Sequence, residues 1–283
     1  MVVKFYRPGR WSEAQIREEH EFAAELLARE IPVVAPMVFN KRTLQKTGSD
    51  TVFHFAIYPR RGGRTPNLED PKVLEWIGRF IGRIHAVGGL SPFKVRPSLD
   101  LKTFGKEPRE WLLKNASIPS DVLDSWKAVT EQALSAVERS FGNAGKVRTI
   151  RLHGDCHPGN ILWTDYGEMS GPHFVDLDDA RTGPAIQDLW MLLSGERASQ
   201  RRQLTDLLAG YEQFMDFDRR ELHLVEALRT LRLLHYSYWI ARRWDDPAFP
   251  AAFPWFGTQR YWQDRILELK EQIALMEDEP LEV

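Results

Sequence analysis

At 283 residues, 43% hydrophobic and 28% charged, with a net charge of −2, the chain has the composition of a globular protein large enough for one sizeable domain or two lobes. The near-neutral charge argues against a nucleic-acid footprint or a polybasic membrane surface, and no apolar run reaches the roughly 20 residues that span a bilayer. Its single cysteine, Cys156, has no intramolecular partner, and "VVKFYRPGRW" lacks the apolar run of a signal peptide, so the expected location is the cytoplasm.

Residues 2–6, "VVKFY", read as a strand with Lys4 at its centre. A lysine inside a half-buried strand is costly unless an anion meets it. The run from Ser12 to about 31 reads as a helix, with Ser12 as N-cap, Gln15 three residues on, and Ile16, Phe22, Leu26 and Leu27 as its apolar stripe. Residues 37–44 and 51–58 carry strand signals, and "KTGSD" between them is a turn. After the hinge-like "PRRGGRTPN", helical spacing dominates: 70–87, 120–141, 185–193, 199–214, 218–244 and 258–276. A β interlude occupies about 147–177, with "DYGEMSG" as its turn. The expectation is an α+β, bilobal protein-kinase-like fold. Its small β-rich N-terminal lobe covers 1–60 and its larger helical C-terminal lobe covers 61–283.

The chemistry concentrates in 151–190, where Asp155 is followed five residues later by Asn160 and, after a hairpin-length gap, by Asp176. Phosphoryl transfer needs a carboxylate to accept the attacking hydroxyl's proton, and an amide oxygen with a second carboxylate to hold a metal against the phosphates. A lysine on an earlier strand completes such a set, and Lys4 is in place for it.

"HGDCHPGN" with "FVDLDDA" resembles the catalytic loop and metal segment of kinase-like phosphotransferases of the aminoglycoside/choline-kinase branch. Together with "RRWDDPAFPAAFPWF", these runs resemble the bacterial stress response kinases, serine/threonine protein kinases within that branch, along nearly the whole chain. The resemblance implies that Asp155 is the catalytic base and that Asn160 and Asp176 ligate Mg²⁺, Asp176 also counting among the catalytic residues. It makes Lys4 the contact to the α- and β-phosphates of ATP, braced by Glu19, with Glu18 as the alternative. His153 and Asp188 would support the loop's backbone, and Asp178 could add a metal or substrate contact. ATP would lie against 56–61, and the expected partners are ATP and a protein hydroxyl, with a monomeric state, no nucleic acid and no membrane.

The family pattern includes a Gly-rich phosphate-covering loop ahead of the lysine strand, whereas the first glycine here is Gly9. The expectation is a start set too far downstream, or a chain lacking its first strands.

Other readings stand beside these. His153, Asp155 and His157 could be metal ligands, although zinc sites usually add more His or Cys. Cys156 beside a carboxylate reads as an inert small apolar residue. The aromatic run 236–262 reads as core, or as a cage for a quaternary ammonium with Asp245 and Asp246. The acceptor could be a small hydroxylated cation, or the chain a binding module with impaired catalysis. A hydrolase is disfavoured, since neither G-x-S-x-G nor a P-loop is present.

Overall fold

The computed structural model describes residues 1–47, 52–165, 167 and 170–283, so the turns expected at 46–50 and 165–171 lie partly outside the described residues. The chain forms two compact units: 1–98 with 148–217 and the last residue, and 99–147 with 218–282. Each unit is thus assembled from separated pieces.

In the first unit, β1 (Val2–Tyr6), β2 (Gln45–Thr47) and β3 (Phe53–Tyr58) form an antiparallel sheet in the order β1-β3-β2, with Lys4 opposite Ala56. Helix α1 (Glu13–Leu27) starts at the expected capping box of Ser12 and Gln15. It ends at Leu27, about four residues short of the expected end near 31, and Glu30 then turns left-handed ahead of Pro32. Tyr6, Ile16, Leu44 and Ala56 form a small core here, with Trp11 and Tyr58 packed against it.

The strand expected over 37–44 does not form. Asn40 and Lys41 both take positive φ, so the segment folds into a tight turn in which Phe39 and Arg42 pair. Asp70 caps α2 (Pro71–Gly88), and proline occupies its first turn, where no backbone donor is lost. Two short antiparallel pairs follow, β4 (Ile150–Leu152) with β7 (Arg181–Gly183) and β5 (Ile161–Thr164) with β6 (Gly171–Phe174). Helices α5 (Ile186–Trp190) and α6 (Arg197–Tyr211) complete this unit.

The second unit is helical. A π-helical turn (Lys102–Lys106) runs into α3 (Glu107–Asn115), which was not expected because Gly105 and Pro108 interrupt the apolar spacing. Helix α4 (Ser120–Ala144) packs beside α9 (Gln259–Glu277), their buried Trp126 and Trp262 rings meeting edge to face at 4.9 Å. The helix expected over 218–244 divides into a 3₁₀ turn (Arg219–Leu224) capped by Asp218, then α7 (Val225–Ala241). A further short helix, α8 (Ala248–Ala252), carries a proline. Among the described residues no helix is long and apolar enough to cross a membrane.

Helices α2 and α6 approach closely through glycines. A Cβ on Gly78 would stand 2.0 Å from the Leu207 carbonyl oxygen, and one on Gly210 1.9 Å from that of Glu75. Backbone cannot yield as a side chain does, so Gly78→Ala is expected to destabilise the protein by about 3 kcal/mol. Differential scanning calorimetry should show the melting temperature falling by roughly 6–12 °C.

Candidate active site

The loop that leaves β4 is held by a buried carboxylate. Asp188, on α5, is 1% exposed. Its Oδ2 accepts the His153 N–H and its Oδ1 the Gly154 N–H, both at 2.8 Å. His85 of α2 lies 3.0 Å from Oδ2 through Nε2, and its Nδ1 meets the Tyr211 hydroxyl at 3.0 Å. Because a carboxylate only accepts, His85 carries its proton on Nε2. Burial pushes the Asp188 carboxyl upward, but the bonds and charge from His85, with His153 and the Gly154 N–H, more than offset this and hold it below the usual carboxylate range. Gly154 sits at φ +83°, where a Cβ would come within 2.2 Å of the Asp179 carbonyl oxygen, so the position requires glycine.

His153 uses both ring nitrogens inside the loop: Nε2 donates to the Val175 carbonyl at 2.9 Å, and Nδ1 faces the Asp155 N–H at 3.4 Å. That engagement tells against the metal triad of His153, Asp155 and His157, because neither nitrogen points a lone pair at a ligand site. Asn160 ends a short 3₁₀ turn (Pro158–Asn160). Its Nδ2 donates to the Asp155 carbonyl at 2.9 Å and to Asp155 Oδ2 at 3.3 Å. The Val175 N–H donates to the Asn160 carbonyl at 3.0 Å, which brings the asparagine beside the backbone of Asp176. The amide oxygen of Asn160 is not used by these bonds.

Across from this loop lies a pole of paired charges. Lys4 Nζ donates to Asp176 Oδ1 at 2.6 Å and stands 3.3 Å from Asp178. Asp176 is left-handed (φ 59°, ψ 61°), a conformation aspartate tolerates better than most residues, and its side chain is 54% exposed. Asp178 is buried and meets Arg10 at 2.8 Å, and Asp179 meets Arg10 at 2.8 Å and Arg181 at 2.6 Å. Arg96, lying over the Trp11 ring, donates to the Asp178 and Ala180 carbonyls. Burial alone would pull the Lys4 ammonium down, but Asp178, Asp176 and Glu19 together raise it above a lysine's ordinary value.

The two glutamates proposed as a brace differ in their surroundings. Glu18 accepts the backbone N–H groups of Lys94, Val95 and Arg96. Glu19 is 2% exposed, and its Oε2 has no hydrogen-bond partner among the described residues. Burial pushes its carboxyl up to about 7, against the pull of Lys4 and Arg96. The ion-pair partners of Lys4 here are therefore Asp176 and Asp178, with Glu19 close enough to feel its charge.

Lys4 and Asp176 line a cavity of about 450 Å³ within the first unit, together with Val2, Tyr58, Pro59, Leu162 and Val175. The Tyr58–Pro59 edge belongs to the 56–61 stretch marked out in the sequence. Cys156 is fully buried, and burial, then Asp188 and Asp155, push its thiol well up, as an inert residue requires. In the second unit Trp262 is buried, and Arg243 covers Trp239 while Arg242 covers Tyr238, so the chain's own guanidinium groups already lie on these ring faces.

The sequence reading missed Arg10, Arg96, Arg181, His85 and Tyr211. Only His85 left a signal, as a polar residue on the apolar stripe of Ile77, Ile81 and Ile84.

A strand lysine and the aspartate of a separate turn thus line one cavity, and the loop of Asp155 and Asn160 is hydrogen-bonded to the backbone next to that aspartate. The chain belongs to the phosphotransferase enzyme family, whose sequence model matches residues 1–225. Over 282 residues it is 47% identical to "Stress response kinase A" of Salmonella choleraesuis (strain SC-B67) and to "Serine/threonine protein kinase RdoA" of Salmonella typhimurium, matching all of this chain and 83% of each relative. Its identity to Stress response kinase A of Escherichia coli K12 is 44% over the same span. Among solved structures, the amicoumacin kinase hAmiN superposes with a TM-score of 0.71 at 16% identity, covering 99% of this chain and 82% of that one. A microcompartment-associated aminopropanol kinase gives 0.70 at 18%, covering 97% and 84%. The α+β kinase-like fold is thereby established, with its small sheet region and larger helical part.

Glu19 yields a pH prediction. Its folded value near 7 lies above the ordinary 4.5, so the native state binds the extra proton and stability falls as pH rises between those values. Glu19→Gln has nothing to titrate. It should match the wild type near pH 4 and exceed it by about 3 kcal/mol at pH 8, as read from urea unfolding at both pH values.

Proposed function

We propose that the protein is a Mg·ATP-dependent serine/threonine protein kinase of the bacterial stress response type, cytoplasmic and monomeric, which also phosphorylates itself. The observation that carries this reading is the convergence of Lys4 and Asp176 on one cleft, with the Asp155–Asn160 loop tied to the backbone beside Asp176. The full-length likeness to relatives named as protein kinases supports the class of acceptor.

In this reading Asp155 accepts the proton of the attacking hydroxyl and aims its oxygen at the γ-phosphorus. Asn160, through its unused amide oxygen, and Asp176, through its exposed carboxylate, are the hard oxygen donors that suit Mg²⁺. The ion would supply positive charge against the β- and γ-phosphates. Lys4 moves part of its pairing from Asp176 to the α- and β-phosphates, and ionised Glu19 then braces it from behind. His153 and Asp188 hold the loop backbone so that Asp155 keeps its aim, which matters because positioning and charge neutralisation supply most of this catalysis. The lobes are proposed to follow the division at residue 60, with adenine against 56–61.

A second reading keeps the site and changes the acceptor to a small hydroxylated amine. It rests on the fold neighbours, whose printed names are those of an amicoumacin kinase and an aminopropanol kinase. Phosphate transfer from labelled ATP to a generic protein substrate, and to the chain itself, should exceed transfer to choline, aminopropanol or aminoglycosides. The reverse order would support the second reading. Asp155→Asn should lower kcat about 10²–10⁴-fold while Mg·ATP still raises the melting temperature. Full activity in that variant would refute the assignment of the base.

Only eleven residues separate Asp176 from Asp188, and their one hydroxyl, Thr182, is in β7 opposite Arg151 with its N–H on the Pro97 carbonyl. Thr182→Ala is therefore expected to keep kcat within about twofold, because no long activation segment is present to be switched. Steady-state rates of the unphosphorylated wild type and the variant check this.

A further inference from the structure

Lys4 lies in β1, which pairs antiparallel with β3 so that Lys4 stands opposite Ala56. Besides its acidic partners Asp176 and Asp178, Lys4 meets Tyr6, two residues on and hence on the same face. Tyr6 is the one buried residue of β1, and its ring centroid lies 5.5 Å from Lys4 Nζ, within cation–π range. Its hydroxyl meets His20 Nε2 of α1 at 2.7 Å and the Tyr58 hydroxyl of β3 at 2.9 Å. His20 in turn meets Thr43 Oγ1 through Nδ1 at 2.8 Å. Burial, then the charge of Lys4, lowers the His20 imidazole to about 4, so near neutral pH it is uncharged, with one nitrogen donating and the other accepting. Four side chains thus form one directional hydrogen-bonded line from Thr43 to the wall of the cleft, passing His20, the neighbour of Glu19.

We propose that the Tyr6 hydroxyl is a positioning device for Lys4, tying the lysine strand, the glutamate-bearing helix and the Tyr58 wall into one unit that presents the ammonium to a nucleotide's phosphates. The inference rests on the kinase reading above. The ring of Tyr6 belongs to the core with Ile16, Leu44 and Ala56. A residue serving only that core could be replaced by phenylalanine with no effect specific to nucleotide. The hydroxyl has a different role: it fixes how far Lys4 stands from Glu19 on one side and from the cleft on the other.

The test is a KM-against-kcat comparison for Mg·ATP. Tyr6→Phe is expected to raise KM about tenfold and to change kcat less than about threefold. Ser237→Ala, which removes the buried 2.7 Å bond between Ser237 and Tyr261 in the other unit, should lower the melting temperature and leave KM unchanged. His20→Leu cuts the same line from α1 and should act as Tyr6→Phe does. His20→Gln, whose amide reaches the Nε2 position, should hold KM within about twofold of the wild type. Unchanged KM in Tyr6→Phe, equal KM in the two His20 variants, or a matching rise in Ser237→Ala overturns the proposal. A wild type that neither turns over Mg·ATP nor is stabilised by it overturns the kinase reading and this inference together, and so is told apart from failure of the Tyr6 link alone.

Discussion

The buried carboxylate of Asp188 is the constraint around which the loop after β4 is arranged. An anion removed from water is tolerable only where donors surround it. Asp188 has two backbone N–H groups of the loop and the imidazole of His85, itself held by Tyr211. The loop cannot drift without stranding that charge. Satisfying it fixes His153 and Gly154, and through them the start of the run that carries Asp155 and Asn160. The glycine is required by the same geometry, because the turn brings the Asp179 carbonyl against its α-carbon.

The opposite pole follows a different electrostatic logic. Asp176, Asp178 and Asp179 crowd three carboxylates into four residues, a cluster that would repel itself if left alone. Lys4, Arg10 and Arg181 are distributed among them, and Arg96 holds the backbone of the same turn. Asp178 and Asp179 are paired with arginine, whereas the exposed Asp176 is paired with the lysine. The member of the cluster open to a ligand is thereby separated from the two that serve as framework. Glu19, buried with an oxygen that has no hydrogen-bond partner among the described residues, feels the charges of Lys4 and Arg96, so a change in the pairing of Lys4 would reach it.

What could be read from the sequence was what depends on local spacing. The Asp155–Asn160 interval, Asp176 after a hairpin, the capping box at Ser12 and the apolar stripe of α2 are all written within a few residues of one another. The resemblance carried by three motifs then supplied roles that spacing alone could not. The partners brought in from far along the chain were not legible: Arg10 and Arg96 reach the acidic turn across 169 and 82 residues. The strand signal of 37–44 failed because apolar, β-branched composition says nothing about two consecutive left-handed residues. The interleaving of the two units was equally hidden, because nothing in composition marks where the chain leaves one core and later returns to it.

The Lys4–Asp176 pair joins residues 172 positions apart. During synthesis at about 5–20 residues per second, the lysine emerges roughly 10–30 s before its acidic partner exists. Through that interval β1 and α1 can gather their own small core, but the ammonium has no native counter-charge from the Asp176 turn. The Lys4–Asp176 end of the cleft is therefore a late product of translation, completed only when the segment after β6 has left the ribosome.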